Sequence, residues 1–212
     1  MPARKPYTLY GSRGSGSAAV EAALGLCEVE WKLVDAASWA PGKSFEALKK
    51  HNALGLIPTL VLPDGSVLTE SAAILIHLGD AHPASGLLPT TLPARAQAIR
   101  GLVYVVAQCY AAIGVIDYPE RWCAECDEAT AERIRAGTRA RLHRCWEIFA
   151  DQVPATFGAK LGALELLAAT VSKWSGARAH LARARPKFHA RLARIEANPR
   201  VADVFARHWP PA

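Results

Sequence analysis

No uninterrupted apolar run in this 212-residue chain approaches the roughly 20 residues that a membrane-spanning helix needs, so no membrane segment is expected. The Met1–Arg4 stretch is basic, but no long apolar segment follows it. No secretory signal is therefore expected, and the cytoplasm is the expected location. The sequence also lacks a disulfide framework, since its five cysteines (Cys27, Cys109, Cys123, Cys126 and Cys145) are odd in number and scattered. Cys123-Ala-Glu-Cys126 is a C-x-x-C, the pattern of a redox pair or of half a zinc site. No second C-x-x-C and no close histidine pair completes four ligands, and no hydrophobic strand precedes it as in a thioredoxin-type redox motif. The thiols are read as structural or incidental, and no metal is expected. No internal repeat is present, and no low-complexity tract beyond one short Gly/Ser loop. No nucleic-acid module is recognisable either, although the net charge is +6 and arginines crowd the last 35 residues or so. Arg178, Arg183, Arg185, Arg191, Arg194, Arg200 and Arg207 read as a solvated helix face rather than a nucleic-acid surface. Such a face is also compatible with an anionic small molecule.

What is present begins with a short β-prone run, Tyr7–Tyr10, cut off by Gly11-Ser-Arg-Gly-Ser-Gly-Ser17. Ala18–Cys27 reads as a helix, with Ser15 or Ser17 near its N-cap. Val29–Val34 is a second strand, and the three together form a right-handed βαβ unit. A short helix around Ser44–Lys50 follows. Pro58 then precedes the strand Thr59–Leu62, Asp64-Gly65 is a hairpin turn, and Val67-Leu68 returns antiparallel. Glu70–Asp80 has apolar residues at helical spacing. That order is thioredoxin-like. Residues 83–92 form a linker by composition, separating a first domain (1–82) from a second (93–212) that reads as helical throughout. Its expected helices are Ala94–Ile113, Asp127–Asp151, Leu164–Trp174 and Pro186–Ala197.

Three segments in series carry a resemblance. They are Leu9-Tyr-Gly-Ser-Arg-Gly-Ser-Gly-Ser-Ala18, Asn52-Ala-Leu-Gly-Leu-Ile-Pro-Thr-Leu60 and Leu68-Thr-Glu-Ser-Ala-Ala-Ile74. Together they resemble the glutathione transferases, whose second and third segments commonly read Asn-Pro-x-Gly-x-Val/Ile-Pro-x-Leu and Glu/Gln-Ser-x-Ala-Ile. Ile116–Trp122 and Val171–Trp174 extend a looser likeness to a bacterial branch. The fold this implies is a thioredoxin-like α/β domain followed by an all-α domain.

The resemblance implies a chemistry. The glutathione thiol must ionise to react, and a helix N-terminus offers partial positive charge, free N–H groups and a nearby hydroxyl to favour the thiolate. Ser15 is the expected catalytic residue by alignment with serine-type branches, with Ser17, Ser12 or a backbone donor as alternatives. Gly16 stands where the bacterial cysteine-type branch has its cysteine. A cis bond before Pro58 would turn the Ile57 backbone toward the cysteinyl unit of glutathione. Glu70 and Ser71 would hold the γ-glutamyl end, the carboxylate on the helix N-terminus and the ammonium on Glu70. His51 is a further candidate for contact with the glycyl carboxylate, and His77 reads as packed. The acceptor pocket is expected between the domains near Tyr104, Gln108 and Tyr110, with Trp122, Trp146, Trp174 and Trp209 assigned to packing.

Two departures from the family pattern stand out. Gly162 replaces the hydroxyl residue that usually caps the buried helix of the second domain, leaving Glu165 to reach back. Leu56 replaces a polar residue that holds the glycyl carboxylate in many relatives. The expected activity is conjugation of glutathione, a co-substrate with no metal, to a hydrophobic electrophile by a homodimer, as in detoxification. The alternatives are peroxide reduction, isomerisation or ether cleavage at the same site, or a non-catalytic binding module.

Overall fold

The computed structural model describes residues 5–37 and 39–210; the basic Met1–Arg4 segment lies outside them. Strand β1 (Tyr7–Gly11) runs parallel to β2 (Trp31–Asp35), with Tyr7 opposite Trp31 and Gly11 opposite Asp35. Helix α1 (Ser17–Leu26) makes the crossover between them. Strand β3 (Thr59–Val61) pairs antiparallel to β1, with Leu60 opposite Leu9, and β4 (Val67–Leu68) pairs antiparallel to β3. The sheet order is β2-β1-β3-β4. The β3–β4 hairpin closes on Asp64, whose carboxylate accepts from Ser66 N at 2.8 Å, with Gly65 at φ 91°.

Side chains alternate across β1. Leu9 joins the large core under α1 and α3 (Ser71–Ala81), while Tyr10 faces the opposite side, against Leu48 of α2 (Lys43–His51). The sheet is thus covered on both faces, which is why its central strand β1 carries no charged side chain.

The helical half starts with one continuous run: α4 (Leu92–Tyr104), a π-helical turn (Val105–Tyr110) and α5 (Ala111–Asp117). By length and composition alone this 26-residue run could cross a membrane, a feature the apolar-run criterion did not register. In this fold it is the helix on which α6 (Glu128–Gln152) and α7 (Ala163–Val171) pack. The side chain of Asp127 caps α6, accepting from Thr130 N at 2.8 Å. Helix α7 is buried almost throughout and touches α1, α3 and α4, so its apolar surface joins the sheet-bearing half to the helical half. Helices α8 (Ala177–Ala184), α9 (Pro186–Glu196) and α10 (Ala202–His208) complete the chain, with α10 returning to α1.

Several expectations change here. Helices α8 and α10 were not anticipated. Arg178 is not part of a solvated face: it is ion-paired with Glu196, and it donates to Ala169 O at 2.8 Å and Ser172 Oγ at 2.7 Å. Trp122 is not packed but 65% exposed. Glu165 does not close a capping box on Gly162; its carboxylate accepts from Gly158 N at 3.4 Å, and Ala163 N bonds to Leu87 O instead.

Candidate functional site

The turn that opens α1 is held by its own serines. Ser15 Oγ donates to Ser12 O at 2.6 Å and accepts from Ser17 N at 3.2 Å. Ser17 Oγ lies 2.9 Å from Ser15 Oγ and accepts from Ser12 N at 3.3 Å. All three serines are buried. The helix N-cap is Gly16 rather than a serine, so no side chain caps α1.

Gly14, at φ 71°, donates its N–H to Nδ1 of His208 at 3.1 Å, across 194 positions of sequence. The other ring nitrogen of His208 lies 2.7 Å from the buried carboxylate of Glu21 on α1, and Arg207 reaches the same group at 2.8 Å. Burial pushes the Glu21 carboxyl up, but hydrogen bonds and charge from His208 and then Arg207 outweigh it and hold the group below its ordinary range.

The facing wall is the segment before β3. Buried Asn52 pins it by donating to Leu56 O at 3.1 Å and to Thr59 Oγ1 at 3.0 Å. The Ile57–Pro58 bond is cis. Neither the N–H nor the C=O of Ile57 is hydrogen bonded among the described residues, so both remain open to an extended ligand. Glu70 sits at φ 62°, ψ 111°, a backbone region that side-chain-bearing residues rarely occupy, and α3 begins directly after it. The first N–H groups of α3 therefore lack intrahelical partners at this point. The Ser71 hydroxyl beside them makes no hydrogen bond among the described residues.

These walls enclose a cleft of about 510 Å³, within the usual range for small-molecule sites. It brings together Ser15, Ile57, Pro58, Glu70 and Ser71, with Gly14, Asn52 and the half-exposed Leu56. The helical half closes it with Val106, Tyr110, Ile113, Asp117, Tyr118, Arg121 and Trp174. Tyr110 is the one residue of the expected acceptor trio on this wall. Tyr104 donates to Cys145 O at 2.9 Å in the core, and Gln108 accepts from Arg141 on α6 at 2.6 Å. His51 sits beside the Tyr10 ring and does not line the cleft.

Trp174, assigned to packing from sequence, lines the cleft with its ring stacked on Tyr110 at 5.6 Å. Trp39, Asp117, Tyr118 and Arg121 were missed. The Ile116–Trp122 likeness contains three of them and was the signal available. Arg121 lies 3.8 Å over the Tyr118 ring, and burial raises the Asp117 carboxyl.

A family model described as the glutathione S-transferase N-terminal domain matches residues 17–81. The uncharacterized GST-like protein YncG of Escherichia coli is 32% identical over 168 residues, which cover 78% of this chain and 80% of that protein. The chain belongs to the glutathione S-transferase family. A transferase homolog from Sulfitobacter, solved with bound glutathione, superposes with a TM-score of 0.82 at 22% identity, covering 94% of this chain and 96% of that one. This transferase-family chain therefore has the thioredoxin-like domain and all-helical domain that the sequence implied. Over a shorter stretch it resembles the maleylacetoacetate isomerase of Rhizobium meliloti, at 36% identity over 45% of this chain and 44% of that protein.

Chemically, one half of the transferase-family cleft offers backbone pairing, a helix N-terminus and a free hydroxyl, which suit an amino-acid-like anion. The other half is aromatic and aliphatic with a polar rim, which suits a second, less polar reactant. Among the described residues no group of three or more His, Cys, Asp or Glu side chains converges as metal ligands would.

Proposed function

We propose that this chain is a glutathione transferase that joins the glutathione sulfur to an electrophilic, largely apolar small molecule. The observation that supports it best is the convergence of Ile57, Pro58, Glu70 and Ser71 with the opening turn of α1 on one cleft. In this reading the Ile57 backbone pairs with the cysteinyl unit. The γ-glutamyl carboxylate rests on the N-terminus of α3 and the Ser71 hydroxyl, and Glu70 takes the ammonium. The sulfur lies against the α1 turn, where the positive end of the helix favours the thiolate. Ser15 faces it there and, through its bonds to Ser12 and Ser17, fixes the direction of the turn.

The reading extends to a first domain ending near residue 82 and a second starting near residue 93, to a cytoplasmic location and to a homodimer. Retention on immobilised glutathione together with turnover of an aryl halide tests the activity. Binding without turnover of any acceptor would instead favour a binding module. A second activity, isomerisation, has a specific observation behind it in the likeness to the Rhizobium meliloti isomerase. Assay with a cis-configured unsaturated diketo acid distinguishes it from conjugation.

The role of Ser15 has its own test. Ser15→Ala is expected to lower turnover by about tenfold or more, with glutathione still bound; unchanged turnover would remove Ser15 from the site.

A further inference from the structure

A hydroxyl from the other half of the molecule also reaches the α1 turn. An ideal Cβ placed on Gly16 would stand 2.3 Å from Tyr110 Oη and 3.1 Å from its Cζ. The tyrosine tip thus occupies the space that a side chain at position 16 would take. Position 16 is the helix N-cap of α1, the place where the sulfur sits in the reading above.

Three further observations bear on what this hydroxyl does. Its residue lines the cleft together with Gly14 and Ser15. It is delivered by the last residue of the π-helical turn, a distortion that rotates the helix locally and recurs at functional sites. Its ring is held flat against Trp174, with the planes 15° apart, so the tip has little freedom to swing. The serines of the turn are differently engaged, since Ser15 gives its hydroxyl proton to the Ser12 carbonyl.

We propose that Tyr110 is a catalytic residue whose hydroxyl donates a hydrogen bond to the glutathione sulfur, supplying from the helical domain the group that Gly16 cannot. The inference rests on the glutathione-transferase reading. Tyr110 Oη lies against Gly16 at the N-terminus of α1, whose backbone N–H favours negative charge on that oxygen, and Oη–H donates onward to sulfur, so the positive end of α1 acts on the thiolate through a polarised hydroxyl. Burial, the main cause, pushes the phenol up to about 12, and the charged groups that face it, Asp117 and Glu70, oppose its ionisation further. The hydroxyl therefore keeps its proton throughout the range in which a thiol titrates, as a donor must. A glycine at 16 and a tyrosine at 110 become a matched pair, because either a larger residue at 16 or a displaced ring would part the hydroxyl from the turn.

The test compares wild type with Tyr110→Phe, which keeps the ring on Trp174 and removes only the hydroxyl. Glutathione affinity is measured by calorimetry, the thiolate of bound glutathione is titrated by its ultraviolet absorbance, and kcat/KM for an aryl halide is followed against pH. The variant is expected to bind glutathione within a few-fold of wild type. The thiol titration and the pH profile should both move alkaline by about one unit, a loss of kcat/KM that reaches about tenfold on the acid limb of the profile. Gly16→Ala, which pushes the ring off the turn with the hydroxyl intact, should produce the same alkaline shift. Normal glutathione binding with an unmoved thiol titration in Tyr110→Phe would overturn the proposal. Failure of the wild type to bind glutathione would overturn the underlying reading, and this inference with it.

Discussion

At the scale of single residues, Glu70 is the cleft residue with a strained backbone. A positive φ of 62° brings Cβ against the backbone, and such conformations cost on the order of 1–3 kcal/mol. The strain sits where the carboxylate is proposed to meet an ammonium, at the edge of the cleft. Two substitutions separate strain from function. Glu70→Ala keeps the Cβ and loses the carboxylate, while Glu70→Gly loses both. Both variants are expected to raise the KM for glutathione about tenfold or more, the loss of a charge-assisted hydrogen bond. Glu70→Gly is nonetheless expected to be more stable than Glu70→Ala by about 1 kcal/mol in urea unfolding, because glycine adopts positive φ without the Cβ clash. Equal stabilities would mean that the backbone at residue 70 carries no strain. Normal glutathione KM in both variants would remove Glu70 from the binding site.

At the scale of elements, legibility followed how each element declares its buried face. Strands β1, β3 and β4 are bounded by Gly or Pro, and α1 and α3 carry dense apolar positions, so the order of the first half could be read to within a few residues. Helices α8 and α10 could not, since each buries only two side chains: Ala177 and Leu181 in one, Phe205 and His208 in the other. The candidate site divides the same way. Its first-domain residues lie in short motifs of fixed spacing, whereas the helical wall depends on which face α4 and α5 present. The π-helical turn at Val105–Tyr110 changes that face between Tyr104 and Ala111, so 3.6-residue periodicity cannot place Tyr104, Gln108 and Tyr110 correctly.

Helix α7 shows a similar limit, because Gly162 predicted a simple missing cap. A Cβ there would lie 2.7 Å from Glu165 Oε2 and 3.3 Å from Leu87 O, so the glycine makes room for a buried carboxyl. Burial raises the Glu165 carboxyl, and hydrogen bonds from its own N–H and that of Gly158 only partly offset this. The folded state thus favours the protonated acid. Its contribution to stability is complete below the ordinary glutamate pKa and is lost as pH rises through the raised value. Glu165→Gln, always neutral and still able to accept from Gly158 N, should match wild type near pH 4. At pH 8 it should have the higher urea midpoint. A midpoint lower than wild type at pH 8 would mean that the charged carboxylate is stabilising.

At the scale of the whole molecule, the last helix and the first are joined by a charge cluster that also touches the proposed sulfur site. Glu21, 1% exposed, meets His208 and Arg207 of α10, and the far nitrogen of His208 accepts from Gly14. Because Nδ1 accepts that bond, its proton is on Nε2, directed at Glu21. Arg207 is largely exposed, so His208 is the partner that the buried carboxylate depends on. Removing the donor from a buried acceptor costs about 1–3 kcal/mol, and more when the acceptor is charged, because the carboxylate is left unsatisfied.

His208→Ala is therefore expected to lose about 3 kcal/mol at pH 7, the upper end of that range for a neutral donor and a charged acceptor. The sign of its pH dependence follows from Glu21. In wild type the carboxyl is held below its ordinary range, so its stabilisation is present above the ordinary carboxylate pKa and fades as pH falls through the lowered one. In the variant, burial acts with less opposition, and the carboxyl takes up a proton at higher pH. The gap between the two unfolding curves should therefore narrow as pH drops from 7 to 4. Gly14 would also lose its acceptor, so the α1 turn loosens and turnover falls further than stability alone dictates at a temperature where both proteins are folded. Glu21→Gln, which leaves the His208–Gly14 bond in place, should keep more of the turnover. A stability gap that stays constant from pH 7 to pH 4 would show that Glu21 is not the group that depends on His208, and equal turnover in the two variants would sever the last helix from the chemistry at the first.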